Sequence, residues 1–385
     1  MKKFLIVILS LLFLSGCTGG KNANEDAEAV KPKEHYDVVF LSNLDFIYDN
    51  GVKERCLYGI KNYCEENGLK YTFLQPAGAD EASMEETFEE AIEQMSCAIL
   101  VASGLDWDRF LADRMEEYRD VKAIYVDGEG KFANGKALSH PDNLALIGFA
   151  EEEAAYMAGY AVIKDGYRKL GWISENDDAP IDSVIFGFTR SIVDALSETQ
   201  TETEEEEKEE KEEDSAQLLY AYTDSLEGSL AEKAAQWYAE GTEIIFVCGD
   251  EISDELIPVA RESGSGKLIG WRYDEYLRKA LDGEDYEPLY VTSTVNNIEL
   301  LVYNAVKAAY AGSGEWGRYA GKDIFMADVR ENGVSLAPYR SINWRSLTKT
   351  EYDILKQRAS YALSVSASEA AFETAYDRLT IAPFE

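Results

Sequence analysis

The sequence predicts an α/β protein of two similar lobes, each a parallel sheet with helices on both faces. Three observations carry this. From Tyr36 onward short apolar strands alternate with amphipathic helical stretches. Near residue 150 the same rhythm starts again. The two runs are of similar size and follow each other without a Pro/Ser-rich linker, which suits two lobes facing one cleft.

The first run contains strand candidates at 36–42 (YDVVFLS), 70–75, 97–102 (CAILVA), 121–127 and 143–149, with helical stretches at 51–67, 82–95 and 105–118 between them. The second opens with a helix at 151–164, EEEAAYMAGYAVIK, acidic in its first turn as the helix dipole favours. Strand 168–174, helix 182–197, strand 217–223, helix 228–240, strand 243–249, helix 251–263 and strand 267–271 follow. Strand 289–295 and a helix at 297–311 come next, and a less regular tail carries helical stretches near 347–362 and 367–377. In open α/β sheets ligands bind off the carboxyl ends of the strands, so the cleft between two such sheets is the expected binding site.

The run Ser197–Asp214 interrupts the pattern with eleven acids against two lysines, a net charge of −9. Like charges at i,i+4 oppose a helix there, so a solvated insertion is expected. Nothing in the run supplies an ordered calcium-ligand geometry.

Ahead of the body, MKKFLIVILSLLFLSGC places two lysines before an apolar run shorter than the ~20 residues a bilayer span requires. It reads as a secretory signal over 1–16. Leu14-Ser15-Gly16-Cys17 resembles the lipobox of bacterial lipoproteins, which implies lipidation of Cys17. Residues 17–35 read as the lipidated cysteine and a flexible tether. The expected location is the extracytoplasmic face of the cell membrane, with the membrane met through the lipid anchor alone.

The 385-residue chain has 46% hydrophobic and 12% aromatic residues, enough for a sizeable core, and a formal net charge of −36. Such a charge repels nucleic acid. Apart from Cys17 there are Cys56, Cys64, Cys97 and Cys248, without paired metal-ligand spacing, and two histidines, His35 and His140. No disulfide framework, metal site or His-based triad is indicated, and no G-x-S-x-G elbow or P-loop is present. No enzymatic activity and no cofactor are expected.

Scattered along the body are pieces that together resemble one family. They are Tyr125-Val126-Asp127-Gly128, the helix start Glu151-Glu152-Glu153 through Met157-Ala158-Gly159, and Gly187-Phe188. Further on come Leu268-Ile269-Gly270, Val291-Thr292-Ser293-Thr294-Val295, and Glu331-Asn332-Gly333-Val334 with Leu336-Ala337-Pro338-Tyr339. In order and spacing these are similar to the BMP (basic membrane protein) family of bacterial solute-binding lipoproteins, which includes purine-nucleoside receptors of ABC transporters. The resemblance implies a periplasmic-binding-protein-like fold of the ribose-receptor type, in which three chain crossings join lobes that close on a ligand. It puts lobe 1 at 36–149 plus about 293–320, and lobe 2 at 150–292 plus about 321–385. It also implies a small-molecule ligand, a membrane permease as partner, and a monomer. The alternative is a lipoprotein sensor or interaction protein of the same fold without a transport role.

The resemblance also implies where a ligand would be touched. The family's D-K-S-F-N motif falls on Asp49-Asn50-Gly51-Val52-Lys53, keeping the aspartate but replacing the stacking Phe by Val52 and the amide by Lys53. A second stacking position falls near Val184. The aspartate of the family that holds ribose hydroxyls is replaced by Arg272 in Gly270-Trp271-Arg272-Tyr273-Asp274, the motif's second aspartate is kept as Asp274, and the lysine after the S-M-V strand becomes Asn296. Asp127 also matches. Arginine has no acceptor for a diol, so the usual nucleoside pose is not expected. Arg272 and Lys53 instead suit a carboxylate or phosphate on the ligand, with Trp271, Tyr273 or Phe46 as a wall. Two other readings remain open: that these cations pair with Asp49, Asp127 or Asp274, and that Asn43, Phe46 and Tyr48 take over the stacking.

Overall fold

Strand–helix alternation continues through both halves of the chain, and strand pairing sorts the elements into two sheets. The computed structural model describes residues 35–44, 47–48, 51–127, 141–175, 179–203, 215–226, 228–281, 289–321, 324–338, 343–362 and 379–383. The leader expected at 1–16, Cys17, the expected tether up to residue 34 and the helix expected at 367–377 lie outside them.

In chain order the elements of the first lobe are β1 (Val38–Leu41), α1 (Val52–Asn67), β2 (Tyr71–Leu74), α2 (Glu81–Glu89), β3 (Ile99–Ser103), α3 (Trp107–Arg114), β4 (Lys122–Val126) and β5 (Leu144–Phe149). The chain then passes to α4 (Glu151–Lys164), β6 (Lys169–Ser174), α5 (Ala179–Thr203), β7 (Ala216–Tyr222), α6 (Leu230–Ala239), β8 (Ile244–Cys248), α7 (Asp250–Glu262), β9 (Lys267–Gly270), α8 (Glu275–Leu281) and β10 (Tyr290–Asn296). It returns through α9 (Ile298–Ala311), α10 (Ser313–Trp316) and β11 (Phe325–Ala327), and crosses again to β12 (Val334–Leu336), α11 (Lys349–Ala362) and β13 (Leu379–Pro383).

The described strands of the first sheet run β11-β5-β4-β3-β1-β2, all parallel. Those of the second run β12-β10-β9-β8-β6-β7-β13, parallel except for the antiparallel β10–β12 pair. Both sheets are buried by helices, which explains why their strands read as continuous apolar runs. Because β10 stays in the second sheet as far as Asn296 and β11 returns to the first, lobe 1 takes in about 298–327. The boundaries expected at 293 and 320 therefore move by several residues.

Three crossings join the lobes, between Phe149 and Glu151, between Asn296 and Ile298, and between Ala327 and Val334. They are tied to one another. Ala150 N–H donates to Ala327 O at 3.1 Å, Asn297 N–H to Gly333 O at 2.8 Å, and Val329 N–H to the Glu153 carboxylate at 2.8 Å. Helix α4 is buried on nearly every side, which suits its mostly apolar and small residues. In the second lobe Trp172, Phe188 and Phe246 pack ring against ring at centroid distances of 4.9–6.0 Å.

Helix α5 runs on to Thr203, past the end expected at 197 and into the acidic run. Glu198 explains part of this. It pairs with Arg358 and lies 3.9 Å from Lys164, so a charge that would oppose the helix finds cations on α11 and α4. Residues 204–214 lie outside the described set.

Candidate functional site

The carboxyl ends of β4, β9 and β10 and the start of α4 converge between the lobes. Asp127 directly follows β4, Trp271 and Arg272 follow β9, Asn296 ends β10, and Glu151 is the first residue of α4. Arg272 holds the centre. Its Nε donates to Glu151 Oε1 at 2.8 Å and its Nη1 to Asp127 Oδ2 at 3.3 Å. Its guanidinium lies 4.0 Å from the centre of the Trp271 ring, a cation–π stack. Glu151 accepts further hydrogen bonds from Asn296 Nδ2 at 2.6 Å and Trp271 Nε1 at 3.2 Å.

Local backbone geometry aims these groups. Arg272 stands at φ +64°, in the middle of a tight turn closed by Tyr273 N–H to Trp271 O at 2.8 Å. Its carbonyl accepts from Asn296 N–H at 2.9 Å, which fixes the turn to β10. Asp127 also has a left-handed backbone, φ +68°. Non-glycine residues adopt that region at a cost of order 1 kcal/mol or more each, and such residues cluster at functional sites.

Burial pushes the Glu151 carboxyl up, against the pull of Arg272 and Asn296. Burial would lower the Arg272 guanidinium, but Asp127 and Glu151 together raise it. Arg272 is therefore a fixed cation facing two carboxylates. Cys248, at the end of β8, is fully buried nearby and its thiol is pushed well above the ordinary range.

A cavity of about 560 Å³ opens beside this cluster, within the size range of small-molecule sites. Arg55 and Glu66 on α1 and Tyr303 on α9 form its wall from the first lobe. Arg272, Asp274 and Asn296 face them from the second. The Tyr303 hydroxyl donates to Glu66 at 2.6 Å.

Of the residues singled out in the sequence, Asp127, Trp271, Arg272 and Asn296 come together here. Asp274 lines the cavity and caps α8, its Oδ1 accepting from Leu277 N–H at 3.1 Å. Lys53 is buried in the first turn of α1. Asn43 packs against Gly104, and its carbonyl accepts from Gln75 Nε2 at 2.9 Å. Val184 is buried in the second lobe's core. Phe46 and Asp49 lie outside the described residues. Sequence reasoning missed Glu151 as a site residue, because an acid in a helix's first turn already had an explanation in the dipole. Its signal was position: it starts the helix that follows directly on the last strand of lobe 1. Among the described residues no group of ligands that could hold a metal ion occurs, and no helix is long and apolar enough to cross a membrane.

Fold and cleft together define a periplasmic-binding-protein-like architecture. Residues 37–166 match the family model Bmp, described as ABC transporter substrate-binding protein, PnrA-like, a substrate-binding class rather than an enzyme class. No curated protein matches the chain. A solute-binding protein of an ABC transporter system from Aeropyrum pernix K1 is similar in structure, with a TM-score of 0.55 and 16% identity over 88% of this chain and 89% of that one. One from Conexibacter woesei DSM 14684 has a TM-score of 0.59 and 13% identity over 86% and 97%. A transcriptional activator of the comK gene from Bacillus halodurans has a TM-score of 0.57 and 17% identity over 85% and 96%. At such identities the likeness shows the fold, which serves more than one role.

Proposed function

We propose that the protein is an extracytoplasmic solute-binding lipoprotein of an ABC importer, anchored through Cys17 and acting as a monomer that captures a small molecule between its lobes and docks on a membrane permease. The observation that carries this is the convergence of strand ends from both lobes on one polar cluster beside a cavity of ligand size. The two ligand classes raised by the sequence, nucleoside-like molecules and molecules with an acidic group, are not favoured equally. Arg272 already faces Asp127 and Glu151, so a free acid would enter as a third negative charge on one guanidinium. A neutral, polar, nucleoside-like solute meets no such opposition.

A thermal-shift screen against nucleosides, sugars, amino acids and small acids tests this reading. A solute present at about a hundred times its Kd adds ~2.7 kcal/mol of stability. Shifts with neutral solutes and none with acids are expected; a strong shift with an acid alone would overturn the preference. Silence across the whole screen would favour the second reading, a lipoprotein sensor or interaction protein of the same fold. The observation favouring that reading is that an ion pair already bridges the cleft where a solute would lie.

A further inference from the structure

We infer that Asp127 and Arg272 form a latch that holds the two lobes closed without any solute. Asp127 follows β4 of the first sheet and Arg272 follows β9 of the second, so their 3.3 Å ion pair spans the cleft. Neither residue lies on one of the three crossings, where chain continuity would bring the lobes together in any case. Each strand is third from the crossing edge of its sheet, β4 in the order β11-β5-β4 and β9 in the order β12-β10-β9. The pair sits beside the crossings, since Arg272 also bonds Glu151 at the first and Asn296 at the second, and there it adds a charged contact that biases the lobes toward closure.

The two halves of the latch are built differently. Arg272 is anchored wholly within the second lobe, by Glu151, by the face of Trp271 and by its own tight turn. With the guanidinium held in place, little side-chain freedom is lost when it meets a partner. Asp127 is the moving half. When the lobes part, Arg272 keeps Glu151 as its counterion and Asp127 returns to water, so opening leaves no buried charge unpaired. That asymmetry makes the contact reversible. Both residues also hold left-handed backbones, which aim the two side chains at one another across the gap.

Closure is then set by ionic strength as well as by solute, since a part-exposed pair is screened by salt. Solute binding acts on an equilibrium already weighted toward the closed form.

Small-angle scattering on the purified protein, stripped of solute by unfolding and refolding, reads the open and closed populations directly. Asp127→Asn keeps the side chain's shape and a residue type that tolerates left-handed backbone, while removing the charge. The expected result is a closed profile for the parent protein at low salt. The Asn variant should expand, with the open-to-closed ratio rising on the order of tenfold. High salt should move the parent protein in the same direction. A parent protein that is already open without solute would overturn the latch, as would an Asn variant with an unchanged profile. Should that variant fail to fold, the salt series on the parent protein decides alone, expansion supporting the latch and an unchanged profile overturning it. The readout uses no solute, so its failure leaves the solute-binding reading intact, and failure of that reading leaves the latch standing.

Discussion

Gly187 on α5 lies so close to Glu152 on α4 that a Cβ at that position would stand 2.2 Å from the Glu152 carbonyl oxygen. The approach is reciprocal, since a Cβ on Gly159 of α4 would meet Phe188 O at 2.7 Å. Both obstacles are backbone atoms and cannot swing aside. Gly187→Ala is therefore expected to force the helices apart and destabilise the fold by about 1–3 kcal/mol, the usual range for overpacking. Urea unfolding checks this, and an unchanged midpoint would contradict the close approach.

Asp165, almost fully buried just past the end of α4, accepts backbone N–H groups of Arg345 at 2.7 Å, Ser346 at 2.5 Å and Leu347 at 2.9 Å. One carboxylate thus pins the segment leading into α11. Asp165→Ala should cost about 3 kcal/mol, since hydrogen bonds to a charged group contribute more than neutral ones and their loss strands three donors. Limited proteolysis should then cut between 343 and 350 in the variant before it cuts there in the parent protein.

Acid should weaken the second lobe through Glu243. Burial would raise its carboxyl, but the N–H groups of Arg168 and Lys169 and the Arg345 guanidinium more than offset this and hold it below the ordinary range. A lowered folded pKa gives stability that is present above the unfolded value of about 4.3 and is lost as pH falls through the folded value. Glu243→Gln should therefore be less stable than the parent protein at pH ~7 by about 1–3 kcal/mol. The gap should close as acid titrates the parent's carboxylate. Denaturant midpoints across a pH series read it, and a gap that widened in acid would refute the assignment.

Thiol chemistry gives a further check on the packing. Cys56, Cys64, Cys97 and Cys248 are all buried. Burial pushes the Cys64 and Cys97 thiols up to about 12, and that of Cys248 well above its ordinary value. None should react with iodoacetamide at pH ~8, and all four should react once the protein is unfolded, because the thiolate is the nucleophile. Peptide-level mass spectrometry distinguishes the two states; labelling of any of the four in the native protein would show that its surroundings open.

Much of this architecture was legible because each lobe's strands are covered on both sides. CAILVA, IIFVC and NLALIGF carry their own signal, and α4 begins and ends where its pattern does. The short strands β11, β12 and β13 were not legible. Segments such as FMA and VSL are too brief to show a period, and only their neighbours make them strands. At the site, Asp127, Arg272 and Asn296 are marked by the resemblance to the BMP family, whose motifs fall on strand ends, where ligands bind in such sheets. The contact between Arg272 and Glu151 joins residues 121 positions apart, and no local pattern marks it. Nor does any residue spacing say that a guanidinium will turn toward two carboxylates. That depends on the positive φ at Arg272, which its residue type does not announce.

The outermost strand of the second sheet, β13, lies parallel against β7 and covers what would otherwise be a bare edge. It is contributed by residues 379–383, while β6 and β7 are laid down more than 150 residues earlier. During synthesis that edge stays open until residues 379–383 have emerged. A chain stalled before β13 would display an unpaired row of amide and carbonyl groups flanked by Leu218 and Tyr220, ready to pair with another nascent copy. Timely pairing of β13 with β7 thus removes an edge through which nascent copies could associate.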